Sequence, residues 1–199
     1  MNGKHVRVYV LTCSLMVMMT TLHLYAQQNP AAAKDGGQSA IAQRDGQHDF
    51  DPLLGKWKFH LKRRMNPLTG SNQWVEFEGT GECFKIWDGG ADLDTVELDG
   101  PTGHITGLTL RVYNPTSHQW RLYWANRKIG VLDPPQVGEF KDGHGQFFAQ
   151  DTINGKTILI KFDWTKLDSD APHFEQSFSD DGGKTWEVNW ITDQTRVKE

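Results

Sequence analysis

From residue 56 onward, apolar and polar side chains alternate with a period of two in short runs, and Gly, Asp, Asn or Pro breaks the pattern at about every 8 to 14 residues. That period sends successive side chains to opposite faces of an extended strand. It predicts strands over 56–63, 73–87, 93–98, 105–114 and 118–126, followed by 136–141, 146–153, 156–164, 173–179 and 185–196. No stretch of ten or more residues carries the 3.6-residue repeat of an amphipathic helix. Asn114-Pro115-Thr116-Ser117, Asp142-Gly143 and Asn154-Gly155 supply residues suited to tight hairpin turns, so sequential strands should pair as an antiparallel meander.

The alternation gives most strands one dry face. Leu108, Leu110 and Val112 share one, as do Trp120, Leu122 and Trp124; Ile158, Ile160, Phe162 and Trp164; and Trp186, Val188 and Trp190. Thr109, Arg111, Arg121, Lys161, Asp163, Glu187 and Asn189 occupy the opposite faces, which should be wet. A one-sided sheet must hide its dry face, and closing into an up-and-down barrel of about 8–10 strands does so while removing exposed edges. A two-sheet sandwich is the competing solution. Eight Trp residues are ample to line an interior. The pair Phe147-Phe148 breaks the alternation and marks an expected bulge, where a slip of one residue would invert the inside list.

The first 26 residues, with Lys4 and Arg7 ahead of a largely apolar run over 8–22 and Leu24-Tyr25-Ala26 after it, have the layout of a secretory signal peptide. The run is about 15 residues long, short of the roughly 20 that a spanning helix needs. We read Cys13 as part of that segment, 27–47 as an Ala-, Gln- and Gly-rich flexible linker, and 48–199 as one barrel domain destined for the periplasm or secretion. Without Lys4 and Arg7, 19 basic residues face 25 acidic ones, a net charge of about −6 that disfavours nucleic acid. Cys83 alone remains after cleavage, so the processed chain forms no internal disulfide; the thiol reads as a buried small side chain, with Lys85 its nearest sequence cation.

Gly55-Lys56-Trp57 opens the first strand after Asp49-Phe50-Asp51-Pro52-Leu53-Leu54, and Arg196 lies on the last strand. This arrangement resembles the Gly-x-Trp opening of the calycin superfamily. The resemblance implies that Trp57 closes the barrel floor and that Arg196 stacks on it by a cation–π contact while capping nearby carbonyls. In order along the chain, Gly107-Leu108-Thr109-Leu110-Arg111, Gln119-Trp120-x-x-Tyr123-Trp124, Leu132-Asp133-Pro134-Pro135 and the run from Glu175 through Trp186 extend the pattern. Together they resemble an uncharacterised bacterial family of secreted lipocalin-like domains over 48–197. The resemblance implies the barrel, and it brings no ligand, activity or catalytic residue with it.

Ser179-x-Asp181-x-Gly183-x-Thr185-Trp186 also matches the Asp-box of sialidases and other propellers. A propeller needs several such boxes and a longer chain, so here the motif reads as a tight turn in which Asp181 caps amides, Gly183 allows positive φ and Trp186 tucks beneath. Six histidines follow the signal: His48, His60, His104, His118, His144 and His173. None lies within four residues of another, so no metal site is expected. Related small barrels can hold haem through one His, and His104 and His144, beside turn glycines, are the two placed to reach a barrel mouth.

Two functional readings follow. The first is a carrier of a small hydrophobic or amphipathic molecule, with Trp124, Phe162, Phe178 and Trp190 as walls and Gln176 orienting the ligand. The second is an isomerase or hydrolase acting on such a molecule, with Glu175 as acid or base and Arg121 or Arg111 holding an anionic group. Alternation places Glu175 outside, and the second reading requires it to point inward. A solid barrel that binds a protein on its outer surface is a third.

Overall fold

Gly55 has φ +106°, a backbone conformation that favours glycine, and there the chain leaves a single 3-10 turn (Asp51–Leu53) to start the first strand. The structure, a computed structural model, describes residues 45–198. The expected signal peptide over 1–26 and most of the expected linker over 27–47 lie outside the described residues. Ten strands follow: β1 (Gly55–Arg64), β2 (Trp74–Ile86), β3 (Ala91–Gly100), β4 (Gly103–Asn114), β5 (Gln119–Asn126), β6 (Gln136–Lys141), β7 (His144–Ile153), β8 (Lys156–Thr165), β9 (His173–Ser179) and β10 (Glu187–Arg196).

Every strand pairs antiparallel with its neighbours in sequence, and β10 returns to β1, so the sheet closes into an all-β up-and-down barrel. The sandwich alternative falls, because a closed sheet has no second layer. The turns form as their residues require: Asp142-Gly143 and Asn154-Gly155 take positive φ at both positions (51° and 77°; 52° and 78°), the twist that fits a two-residue hairpin.

One end of the barrel is plugged. Phe50 stands edge-on to Trp120 and Phe140, each with ring centroids 5.1 Å away, and it also touches Phe147 and Trp164. Phe50, Trp57, Trp120 and Phe147 are almost wholly buried, and each contributes on the order of 1.5–3 kcal/mol by leaving water. Asp45 and Gly46 already touch this floor: the Tyr113 hydroxyl donates to Asp45, and Trp120 Nε1 donates to the Gly46 carbonyl at 2.9 Å.

Trp57 and Arg196 face each other across β1 and β10, with the guanidinium 4.1 Å from the indole centroid. Arg196 donates to the carbonyls of Leu54 (3.0 Å) and Pro52 (2.5 Å), and Trp57 Nε1 donates to that of Leu53 (2.6 Å). The three bonds satisfy carbonyls at the end of the 3-10 turn and lock the plug to both closing strands.

Three expectations about parity need correction. On β4, Ile105, Gly107, Thr109, Arg111 and Tyr113 face inward, so Leu108, Leu110 and Val112 lie on the outer, half-exposed face. The bulge lies between Val188 and Trp190 on β10; Phe147 and Phe148 run in unbroken register, the first buried inside and the second exposed. The extra residue turns Asn189 inward beside Trp190. Trp186, expected on the same dry face as Trp190, instead packs outside against Phe148, with centroids 6.2 Å apart and the Lys161 ammonium 5.2 Å above its ring.

Candidate functional site

Above the plugged floor the barrel is hollow. The cavity measures about 570 Å³, within the range of pockets that hold one small molecule. Its walls come from inward positions of nearly every strand. Trp124 from β5, Phe162 from β8, Phe178 and Gln176 from β9, and Trp190 from β10, all named from the sequence, line the same space. Trp124 and Trp190 meet edge to face across it, with centroids 6.3 Å apart. Gln176 Nε2 donates to Asn189 Oδ1 at 2.7 Å, which fixes the amide of the side chain singled out to orient a ligand.

The mouth is lined by the end of β1 and the segment after it, with Arg63, Arg64, Met65, Asn66, Pro67 and Thr69, by Asp133 from the loop before β6, and by Asp151 near the end of β7. Glu187 fastens the first segment: its carboxylate accepts from the Leu68 amide at 2.7 Å and pairs with Arg64 at 3.2 Å. Asp133 has its carboxyl pushed above the ordinary range by burial, with the nearby charge of Asp151 adding to the effect.

The inner end is polar, and of its residues the sequence singled out only Arg111, as one of two candidates to hold an anionic group. Arg111 is fully buried and donates to Asp92 Oδ1 at 2.5 Å and to Asp94 Oδ2 at 2.9 Å. Its guanidinium also lies 4.7 Å from the Phe50 ring and 5.6 Å from that of Trp164. Burial alone would weaken its charge, but Asp92 and then Asp94 hold it above its ordinary value. Burial pushes the carboxyl groups of both Asp92 and Asp94 up, and the guanidinium pulls them back only in part. Asp94 and Arg111 line the cavity, together with Gln136, Thr109, Thr192 and Gln194.

Behind Arg111 lies Cys83, whose Sγ is 3.6 Å from Asp92 Oδ1 and 3.7 Å from the guanidinium. Burial pushes its thiol up, so it remains protonated and unreactive. Lys85 pairs instead with Asp51 at 3.1 Å.

Alternation did carry a signal for the inner cluster. Asp92, Asp94, Val96 and Leu98 share one face of β3, and an arginine on β4 faces the same side; the assumption that charge means solvent hid both.

Glu175 and Arg121 do not join the cavity. Glu175 points outward and bonds to His173 at 3.1 Å, and Arg121 is exposed on the outer face of β5. None of the six histidines lines the cavity. His104 faces outward between Asp99 (2.8 Å) and Glu97 (3.0 Å), whose hydrogen bonds raise its pKa. His144 stands at the plugged end bonded to Asp163 at 2.9 Å, the end away from the mouth it was expected to reach. Among the described residues no three His, Cys, Asp or Glu side chains are arranged to hold a metal ion, and no helix is long and apolar enough to cross a membrane.

Asp181 builds a turn outside the cavity. It accepts from the amides of Lys184 and Thr185, both at 3.0 Å, and from the Ser179 and Thr185 hydroxyls at 2.8 and 2.7 Å. These donors, the Thr185 amide first, hold its carboxyl well below the usual carboxylate range. Gly183, at φ +87°, completes the turn.

No family model matches the sequence, and no curated protein matches it. Among solved structures the chain resembles the S-type phycobiliprotein lyase CPES from Guillardia theta, with TM-score 0.53 and 12% identity over 75% of this chain and 91% of that one. It also resembles Rv2717c from M. tuberculosis, with TM-score 0.50 and 13% identity over 77% and 98% of the two chains. At such identities the likeness is one of fold alone, a closed antiparallel barrel of the calycin, lipocalin-like kind.

Proposed function

We propose that this barrel is an exported carrier that binds one small, largely apolar or amphipathic molecule, in the periplasm or outside the cell. The observation that carries the reading is the cavity itself: about 570 Å³ of space faced by Trp124, Phe162, Phe178 and Trp190 above a sealed floor. A barrel that served only as a scaffold would gain stability by filling this volume, since interiors otherwise pack to crystal-like density. The fold neighbour named as a phycobiliprotein lyase is an enzyme, so barrels of this kind can host chemistry. Here the acid–base candidate Glu175 and Arg121 stand outside the cavity, and Arg111, the alternative to Arg121, lies inside it but is held by Asp92 and Asp94, which favours binding over catalysis.

The test is native mass spectrometry of protein purified from its own compartment without organic solvent, with a visible absorption spectrum. Titrations of Trp fluorescence against fatty acids, retinoids, sterols and porphyrins accompany it. A copurifying mass, or quenching by one of these classes that disappears in Trp124→Ala, supports the carrier. A Soret band would replace the reading with a haem protein. An apo mass together with no fluorescence response to any of these classes or to a long-chain alkylamine overturns it.

A further inference from the structure

The inner end of the cavity holds buried polar atoms without hydrogen-bond partners: the donors Arg111 Nε and Trp164 Nε1, and two acceptors. Asp94 gives one carboxylate oxygen to Arg111, and its other oxygen, Oδ1, is buried without a partner. Gln136, 3% exposed and lining the same cavity, has its Oε1 in the same condition while its amide nitrogen is used on the Pro134 carbonyl. Asp94 is bound to Arg111, and Gln136 lies two strands from it at the same level, opposite Leu122, which stands opposite Arg111. Unpaired acceptors at this depth are costly, because each has lost water and gained nothing in return.

Charge decides which of them a ligand serves. One guanidinium faces two carboxyl groups, so with both ionised the cluster carries an excess negative charge where little solvent screens it. Neither a fatty acid headgroup nor a phosphate fits beside Asp94. A protonated amine fits, since it supplies a donor to the free oxygen of Asp94 and neutralises the excess charge.

We infer that the ligand is an apolar amine, seated with its nitrogen inward on Asp94 Oδ1 and its apolar body against the aromatic walls. The inference rests on the carrier reading and deepens it. Asp94 is the specificity-determining residue, and Arg111 holds it in place.

Three probes with the same twelve-carbon chain separate the possibilities: dodecylamine, dodecanol and laurate, each titrated by Trp fluorescence at neutral pH, where the amine is charged. The wild-type barrel should bind the amine at least about tenfold more tightly than the alcohol, and laurate most weakly, as expected for a charge-assisted bond. Asp94→Asn keeps the size and an acceptor for Arg111; it should bring amine and alcohol to similar affinity while leaving dodecanol binding unchanged. The rim pair Asp133→Asn with Asp151→Asn should keep the preference, and that variant decides the matter if Asp94→Asn fails to fold. Equal binding of all three probes, or a preference lost with the rim pair or kept by Asp94→Asn, overturns the inference and leaves the carrier standing. Binding of none of the three overturns the inference and counts against the carrier as well.

Discussion

The Trp124 ring has room inside the barrel because Gly107, the inward position on β4 next to the facing Thr109, has no side chain. A Cβ added there would sit 2.1 Å from the indole Cη2 and 2.5 Å from Cζ2, so any larger residue must push the ring into the cavity. Gly107→Ala should therefore cost about 1–3 kcal/mol of stability from overpacking. It should also weaken any ligand that fills the space between Trp124 and Trp190, and chemical denaturation with fluorescence titration reads both effects. His173 offers a second test at this scale. It donates or accepts at 2.7 Å with Asp193 and 3.1 Å with Glu175 across the outer faces of β9 and β10. Partial burial would lower its pKa, but the bonds to Asp193 and then Glu175 raise it above 6.5. The stability this contributes is complete below the ordinary imidazole value and is lost as pH rises through the higher folded value. A proton NMR titration should give a midpoint above 6.5 that falls in Asp193→Asn. A midpoint at or below the ordinary value would show that these contacts are absent in solution.

Among the strands, the wall between β5 and β6 is the least sewn. Its ladder consists of Trp120 opposite Gly138, Arg121 opposite Val137 and Leu122 opposite Gln136. Above that row only the Asp133 amide to the Trp124 carbonyl (2.8 Å) and an isolated bridge between Ala125 and Leu132 hold the two sides together. The loop between them carries Ile129, Val131 and Leu132, all more than half exposed beside the mouth. Hydrogen exchange should find the amides of residues 131–138 opening before those of β1–β4, and a bound ligand should slow them selectively; uniform protection around the barrel would contradict this.

The same scale shows what could be read from the sequence. Period-two alternation located all ten strands to within about two residues, because strand length and turn chemistry are local. It placed the inner faces of β5 and β8 correctly, where aromatic and aliphatic residues face in. On β4 it failed, because Arg111 is neutralised by partners on β3, and which strands adjoin is a property of the closed sheet. On β10 it failed because a bulge shifts parity by one and leaves no mark in composition. The five aromatic and amide wall residues named from the sequence were legible for the same reason as the strands, and the acidic inner end was not, since alternation alone assigns charged residues to water.

At the level of the whole molecule, closure depends on one junction between the two ends of the folded chain. Arg196 joins β10, β1 and the floor plug through two carbonyls and the Trp57 ring. Arg196→Ala should cost about 2–3 kcal/mol from lost charged hydrogen bonds and the cation–π contact, and lower the melting temperature by roughly 5–10 °C. A change under 1–2 °C would mean that the barrel closes without this clamp. The junction also fixes where the polypeptide enters and leaves. Residues 45–54 arrive at the plugged end, and β10 finishes there, with Arg196 opposite Trp57. The opening is ringed only by loops. A surface, bead or fusion partner joined directly before residue 45 or after residue 198 would thus hold the barrel by its base with the opening pointing away, and loading should proceed equally well whichever of the two is tethered.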